Sequence, residues 1–214
     1  MIRILPFVVP VYCTGKLLGS LRCERYETLP PSPHSDRVET CVINVLRHEQ
    51  IPMIRDWKTV TDRTLSVPGR SAVTYVHGRK EYRLALRPGL ESGTAQYLAK
   101  RELFHLLHND DLRIQSLQTA VSVAGVAASR IFRWSPVRTF GMVFGVSEAV
   151  GLIACRHRAA AADEFAMKHC TVHELKKAVE HLKHENNLGL NDVQIAKFEQ
   201  AIASKINSWK SESL

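Results

Sequence analysis

Cysteine pairs that could build a disulfide framework are absent from this sequence of 214 residues. The five cysteines are odd in number, and no two of them are spaced C-x-x-C. This usage argues against a disulfide scaffold and against a cysteine-type zinc site, and it fits a reducing compartment. The apolar content of 45% is ordinary, so we expect an apolar core to hold the fold.

The sequence also lacks any block of five or six basic residues, although its formal net charge is +8. A positive balance suits acidic surfaces, nucleic acid or an anionic membrane leaflet, but it does not determine a fold. Scattered Lys and Arg residues are typical of solvated faces, and no helix-turn-helix, RRM or KH pattern is present. We therefore expect no nucleic-acid partner.

No stretch reaches the roughly 20 unbroken apolar residues of a comfortable membrane helix. The N-terminal run 4–12 has the length of a signal-peptide core, but Pro6 and Pro10 interrupt it and no small-x-small cleavage site follows cleanly. The pattern therefore favours a strand or an interfacial segment over a signal peptide. An intracellular or membrane-associated location is the expectation that follows.

Two later segments, 112–132 and 137–155, are apolar but short or interrupted, and the second contains Gly141 and Gly145 four residues apart. By length they predict a pair of buried helices. A helical hairpin resting in or on a membrane through residues 114–155 stays open as the alternative, because small residues at this spacing also occur where membrane helices pack.

A proline-rich stretch, L-P-P-S-P over 29–33, reads as a linker. It divides the chain into an apolar, irregular or extended N-terminal extension over 1–34 and a domain over 35–214. Apolar residues at helical spacing predict helices over about 37–49, 92–109 and 193–209, and another that Thr171 and Glu174 start with a capping box.

Alternating residues around His77-Gly78 predict a β-hairpin over 73–86, and no regular element is predicted over 57–70. The expected fold class is α+β. It is mostly helical, with a small antiparallel sheet packed on the helix over 92–109.

That helix carries the residues that could do chemistry. Glu102, His105 and His108 follow one another at intervals of three, so they share one helix face, and Asp110 comes just after. Zinc peptidases place H-E-x-x-H on such a helix, where the two His bind the metal and the Glu acts as general base. On this pattern Glu102 is the base, His105 is the second ligand, and Arg101 stands where the first ligand belongs.

The order of elements extends the pattern, since the hairpin and motif helix are followed by two apolar segments and a helix reading A-D-x-F-A. Over about residues 73–184 the chain resembles the gluzincin metallopeptidases of the HtpX, Oma and CaaX-prenyl-protease type. The resemblance implies a minigluzincin-like zincin fold and a third zinc ligand, a Glu four residues before the Asp of E-x-x-A-D. Asp163 matches that Asp, while Ala159 stands in the ligand's slot. It also implies supporting roles for His108, Asp110 and Asp163 around the ligands.

Two of the three implied ligands are therefore missing, and only His105 remains. Catalytic zinc sites use three protein ligands and a water, and Arg cannot replace one because it stays protonated and offers no lone pair. Glu102 then becomes a vestigial base and His105 a vestigial ligand, and no cofactor is expected. The interpretation is a degenerate, inactive pseudo-peptidase kept as a binding or regulatory module, in which Arg101 bridges Glu102 and Asp163 in the vacated space.

Two alternatives stay open at this point. One is an active zinc endopeptidase with a rearranged ligand set, for which zinc would be the cofactor. The other is an assembly protein that contacts a membrane surface through 114–155. For the module, the expected partner is an unidentified protein or peptide that pairs with the edge strand of the hairpin over 73–86.

Overall fold

The computed structural model describes residues 4–21, 29–52, 57–65, 68–76, 79–185 and 192–212. The chain is α+β and mostly helical, as predicted. Its elements in order are α1 (Leu5–Leu21), α2 (Ser35–His48), β1 (Trp57–Thr61), β2 (Gly69–Val76), β3 (Arg79–Leu86), α3 (Ser92–His108), α4 (Asp110–Ile131), α5 (Pro136–His169), α6 (Val172–Glu185) and α7 (Asp192–Glu212).

The three strands form one sheet in the order β1–β3–β2. β2 and β3 pair antiparallel from Gly69 opposite Leu86 to Val76 opposite Arg79, which confirms the predicted hairpin; its turn, 77–78, lies outside the described residues. β1 pairs parallel to β3, so the sheet is mixed and the expectation of a purely antiparallel sheet is wrong. A parallel pair joins segments that are distant in sequence, so local alternation gives little sign of it.

The N-terminal segment was predicted to be irregular or extended, and this prediction is wrong for residues 5–21, which form α1. Pro10 lies inside the helix, where proline usually breaks or kinks the backbone. Tertiary packing outweighs that cost, because Val9 and Cys13 are buried in a cluster with Val126 of α4 and Val143 of α5. Proline in a sequence signals the end of a helix, whereas this packing involves helices that are distant in sequence and leaves no local signal.

The main core surrounds α3, which packs against α2, the sheet, α5 and α6. Leu84 of β3, Leu103 of α3, Leu175 of α6 and Phe198 of α7 are completely buried in it. Burying a side chain of this size contributes about 1.5–3 kcal/mol. The sheet therefore lies against the motif helix, as predicted, and α3 is held on several sides by apolar contacts.

The helices α1, α4 and α5 form a second unit with a different pattern. The predicted helices are present, but their interior is largely polar and many of their apolar side chains are exposed. Gln118 and Ser147 exchange hydrogen bonds with each other's carbonyl oxygens at 3.3 and 3.2 Å, and Cys13 Sγ lies 3.6 Å from Ser147 Oγ. Within the described residues, α5 is long and apolar enough to cross a membrane.

Close packing in this second unit depends on a glycine that the sequence did not single out. A Cβ on Gly125 would lie 2.8 Å from a methyl carbon of Val143, so α4 and α5 approach closely there. At Gly141 and Gly145 an added Cβ would meet nothing within 4 Å. The G-x-x-x-G spacing in α5 is therefore not the helix contact that such spacing typically marks.

Candidate functional site

The motif helix α3 begins at Ser92 and ends at His108, close to the predicted limits. Asn109 follows it in the left-handed conformation, with φ 50°, a geometry that Asn tolerates better than most residues. This turn starts α4 at Asp110. The C-terminal half of α3 and the first residue of α4 therefore meet at a tight corner, where most of the predicted site residues lie.

Arg101 makes the contact that the sequence analysis expected. Its Nε donates to Oδ1 of Asp163 on α5 at 2.8 Å, and its Nη1 donates to Oε1 of Glu102 at 3.2 Å. The side chains are 25%, 14% and 7% exposed in that order, so the guanidinium lies between two mostly buried carboxylates. The positive charge between these two carboxylates is therefore the guanidinium of Arg101.

Asp163 accepts two further hydrogen bonds and so joins three helices. Tyr97 of α3 donates its hydroxyl to Oδ1 at 2.9 Å, and Gln194 of α7 donates its amide to Oδ2 at 2.7 Å. Burial, followed by the charge of Asp163, raises the pKa of Tyr97 well above its usual value, so the phenol stays protonated and remains a donor. Both carboxylate oxygens of Asp163 are therefore engaged by the protein.

The two histidines of the motif have separate partners. His105 Nδ1 lies 2.8 Å from Oδ2 of Asp110, whose other oxygen accepts from Nε of Arg158 at 2.7 Å. His108 Nδ1 lies 2.9 Å from the backbone oxygen of Phe104. The structure therefore places His105 in an ion-pair cluster with Asp110 and Arg158, and it joins His108 to its own helix backbone.

Ala159 lies one helical turn before Asp163 on α5, as the sequence pattern requires. It is partly buried and lines a cavity of about 280 Å³ together with Asp163, Gln194 and Phe198. An alanine methyl offers no ligand atom here. Zinc therefore does not fit the residues present at the motif: Arg101 and Ala159 supply no lone pair, and the oxygens of Asp163 are already hydrogen-bonded.

A different group of side chains was missed by the sequence reasoning. Among the described residues, the potential metal ligands that converge in a group of three are His48, Glu49 and His169. They lie at the C-terminal ends of α2 and α5, far apart in sequence. No spacing motif could have joined them; the only signal is that a basic residue precedes His at both helix ends, at Arg47-His48 and Lys168-His169.

Close to this group is a cavity of about 400 Å³ lined by both His48 and His169. A buried ion pair also lines it, in which Lys100 Nζ of α3 lies 2.7 Å from Oε2 of Glu174 on α6. Lys100 also donates to the backbone oxygen of His169 at 2.9 Å. Glu174 accepts from the backbone N–H of Thr171, so the predicted capping box is present.

The chain matches no protein-family model and no curated protein sequence. The resemblance to gluzincins therefore depends on the motif residues and the order of the elements alone.

Proposed function

We propose that the protein is a catalytically inactive pseudo-peptidase that serves as a binding or regulatory module. The observation that carries this proposal is the Arg101 guanidinium between Glu102 and Asp163. In a gluzincin-like arrangement, a metal ion and its ligands connect the motif helix to the later helix. Here a fixed side-chain cation connects α3 to α5.

Replacing a metal ion with the guanidinium of Arg101 removes the catalytic chemistry and keeps the link between α3 and α5. A zinc ion polarises a carbonyl and lowers the pKa of a bound water, whereas Arg supplies charge and hydrogen-bond donors only. Glu102, the proposed former base, is 7% exposed and paired with Arg101. A carboxylate that is buried in such a pair is poorly placed to take a proton as a general base.

A peptide partner would find its pairing edge on β2. β3 is the central strand of the sheet, and the outer side of β1 is engaged by residues 30–32, since Ser32 N donates to Thr59 O and Thr61 N donates to Pro30 O. β2 is the outer strand on the other side. We therefore assign the proposed strand addition to β2 of the 73–86 hairpin, because an outer strand offers backbone groups to an extended peptide.

The test is a peptidase assay on the purified full-length protein with zinc added. We expect casein to be cleaved no faster than by Glu102→Gln, which keeps the shape of the side chain and removes the base. Cleavage that Glu102→Gln abolishes would overturn the proposal in favour of an active endopeptidase.

A second and compatible function, membrane attachment, is favoured by the distribution of apolar surface. Among the described residues, the large apolar side chains that are exposed lie, apart from Val193, on α1 and the residue before it, on α4 and its following turn, and on α5. Inside this unit lie small and polar residues, among them Ser122, Ser129 and Thr139. Small and polar contacts inside with apolar residues outside are typical of helices packed in lipid.

The charges of this unit also fit a bilayer. The turn between α4 and α5 carries Arg133 and Trp134, and the helix ends beside it carry Arg130 and Arg138. The guanidinium of Arg138 lies 5.2 Å from the Trp134 ring. Arg and Trp residues are enriched at the membrane–water boundary. Glu148, the one acidic residue between 137 and 155, lies 3.4 Å from Lys16 Nζ, so its charge has a partner.

The contacts between these helices give their relative directions. Arg130 near the end of α4 lies over the ring of Phe7 near the start of α1, while Cys13 lies beside Ser147 of α5. α1 therefore runs parallel to α5 and antiparallel to α4. Among the described helices, α5 is the one that is long and apolar enough to cross a bilayer, so α1 and α4 would pack against it.

Carbonate extraction of membranes from cells that express the full chain tests this attachment. We expect the protein in the pellet, and we expect Val146→Lys to weaken insertion, because Val146 is exposed at the middle of the apolar segment 137–155 and Lys at a helix centre costs about 2.5–3.5 kcal/mol in lipid. Val146→Leu is the matched control at the same exposed position. A soluble wild-type protein, or equal extraction of Val146→Lys and Val146→Leu, would contradict membrane attachment.

A further inference from the structure

The C-terminal ends of α2 and α5 bring together three side chains that can each donate a lone pair. α2 ends at His48, Glu49 is its C-cap, and α5 ends at His169. One ligand atom from each of the three lies within 4.8 Å of the others. Oε1 of Glu49 is 3.0 Å from Nε2 of His169 and 3.4 Å from Nδ1 of His48.

His169 is the residue that makes this group unusual. Its side chain is 5% exposed, yet its buried Nε2 has no hydrogen-bond partner in the part of the chain that the structure describes. The carboxylate oxygen is close enough, but the angles do not form a hydrogen bond. A buried polar nitrogen without such a bond is rare and costly in proteins, so its presence calls for a physical explanation.

The spacing of the three atoms suits a tetrahedral metal ion. Zinc binds His nitrogen and carboxylate oxygen at about 2.0–2.2 Å, so neighbouring ligand atoms on a tetrahedron are about 3.3–3.6 Å apart. Of the two distances to Glu49 Oε1, that of 3.4 Å from His48 lies within this range and that of 3.0 Å from His169 is slightly shorter. His48 is 68% exposed, so its ring can turn to close the remaining gap without disturbing the core.

The surroundings favour a cation at this point. Each helix C-terminus carries about half a negative charge, and two such ends meet here.

Lys168 is the competitor for this carboxylate, at 2.7 Å from Glu49 Oε1. Its side chain is 60% exposed, so it can turn into solvent when another cation binds. A mobile surface ammonium is a weak competitor, because exposed ion pairs contribute little free energy.

We propose that His48, Glu49 and His169 form a binding site for a divalent transition-metal ion, zinc by its donor set of two imidazoles and one carboxylate. The cavity of about 400 Å³, which both histidines line, leaves room for a water or a small ligand at a fourth position. This site is separate from the motif residues on α3, and the proposal does not depend on the pseudo-peptidase assignment.

The test is zinc titration of the full-length protein after removal of metals, monitored with a chromophoric chelator and checked by elemental analysis. We expect one zinc per chain and at least about tenfold weaker binding in His169→Ala and in Glu49→Gln, because each removes one of three ligands. His173→Ala, which removes an exposed histidine of α6, is the matched control and should bind zinc like the wild type.

Two further variants keep the test sharp. His48→Ala changes an exposed position and should fold normally, so its loss of zinc cannot be ascribed to unfolding. Lys168→Met removes the competing ammonium and should tighten zinc binding, an effect that a purely structural role for Glu49 would not produce. Cobalt substituted for zinc should give the visible absorption of a tetrahedral ion, and His169→Ala should abolish it.

Unchanged zinc binding in His169→Ala and Glu49→Gln would overturn the metal site. If the zinc were instead lost only with His105→Ala, the ion would belong to the motif helix. That result would also overturn the pseudo-peptidase proposal, so the two failures can be distinguished.

Discussion

Two polar clusters, both anchored on α5, differ in how completely their atoms are paired. At Asp163 both carboxylate oxygens are hydrogen-bonded and the Arg101 cation is already in place. His169 lies fewer than two helical turns further along α5, next to the possible ligands His48 and Glu49. Its buried Nε2 has no hydrogen-bond partner among the described residues. In the first cluster the partners of the carboxylate are mostly buried, whereas in the second the carboxylate of Glu49 is paired with the exposed Lys168 and a buried nitrogen of His169 is left over.

The difference shows that resemblance to a motif and capacity for chemistry are separate properties. The residues around Arg101 resemble a peptidase site, yet both carboxylate oxygens of Asp163 are already hydrogen-bonded. The residues around His169 match no motif, yet they present lone pairs towards a common point. Pairing of buried polar atoms is therefore the better guide to where a ligand can bind.

The largest expected effect concerns the ion pair between these clusters, Lys100 with Glu174. The two side chains are 6% and 7% exposed, so Lys100→Met leaves a buried carboxylate without its partner. We expect a loss of about 3–5 kcal/mol in the free energy of unfolding, measured by urea denaturation. Lys177→Met, which breaks exposed pairs with Glu91 and Glu180, should give no measurable loss.

Equal stability of Lys100→Met and wild type would show that the buried pair does not hold α3 to α6. In that case the cavity beside His48 and His169 would not have a rigid wall at Lys100 and Glu174. The comparison between the clusters at Asp163 and at His169 would then lose its structural basis.

A smaller effect is expected for the closed cluster. Arg101 and Asp163 are 25% and 14% exposed, so water screens their attraction in part. Thermal and urea unfolding of Arg101→Ala, Asp163→Ala and the double variant should give a coupling energy of about 1–2 kcal/mol. Strictly additive losses would mean that the guanidinium does not connect the two helices.

The smallest effect is a pH dependence in the metal-free protein. The pKa of His169 is lowered first by burial, and then by the positive charges of Lys168, His48 and Lys100 against the opposing effect of Glu49. Below about pH 6.5 the unfolded chain takes up a proton that the folded chain resists. Stability should therefore fall as the pH drops from about 6.5 through the lowered pKa of the folded state.

Urea midpoints at about pH 7 and about pH 5.5 measure this slope, and His169→Gln should flatten it because Gln does not titrate. An identical slope in both proteins would show that His169 is not the group responsible.

Sequence reasoning found the elements whose signals are local. Ser92 and Asn109 bound the motif helix, and residue alternation located the β2–β3 hairpin. It missed α1, since Pro10 signals a break while the stabilising contacts come from α4 and α5. It also missed β1, whose pairing with β3 is non-local.

The same distinction between local and non-local signals holds for the two candidate sites. The contact from Arg101 to Asp163 was predicted because the resemblance suggested that two particular helices face each other, and a buried cation needs an anion. The grouping of His48 with His169 was not predicted, because it arises only from where α2 and α5 happen to end. Tertiary placement of helix ends is not encoded in any short spacing.

The central claim is that Arg101 and Ala159 occupy ligand positions of a metallopeptidase-like site. The most direct measurement is zinc titration of Arg101→His/Ala159→Glu in a His169→Ala background, which keeps the proposed second site from contributing. We expect the protein to gain one zinc per chain, and to lose it again when His105→Ala is added. No gain in zinc affinity, or a gain that persists without His105, would show that α3 and α5 do not present their side chains as a gluzincin does.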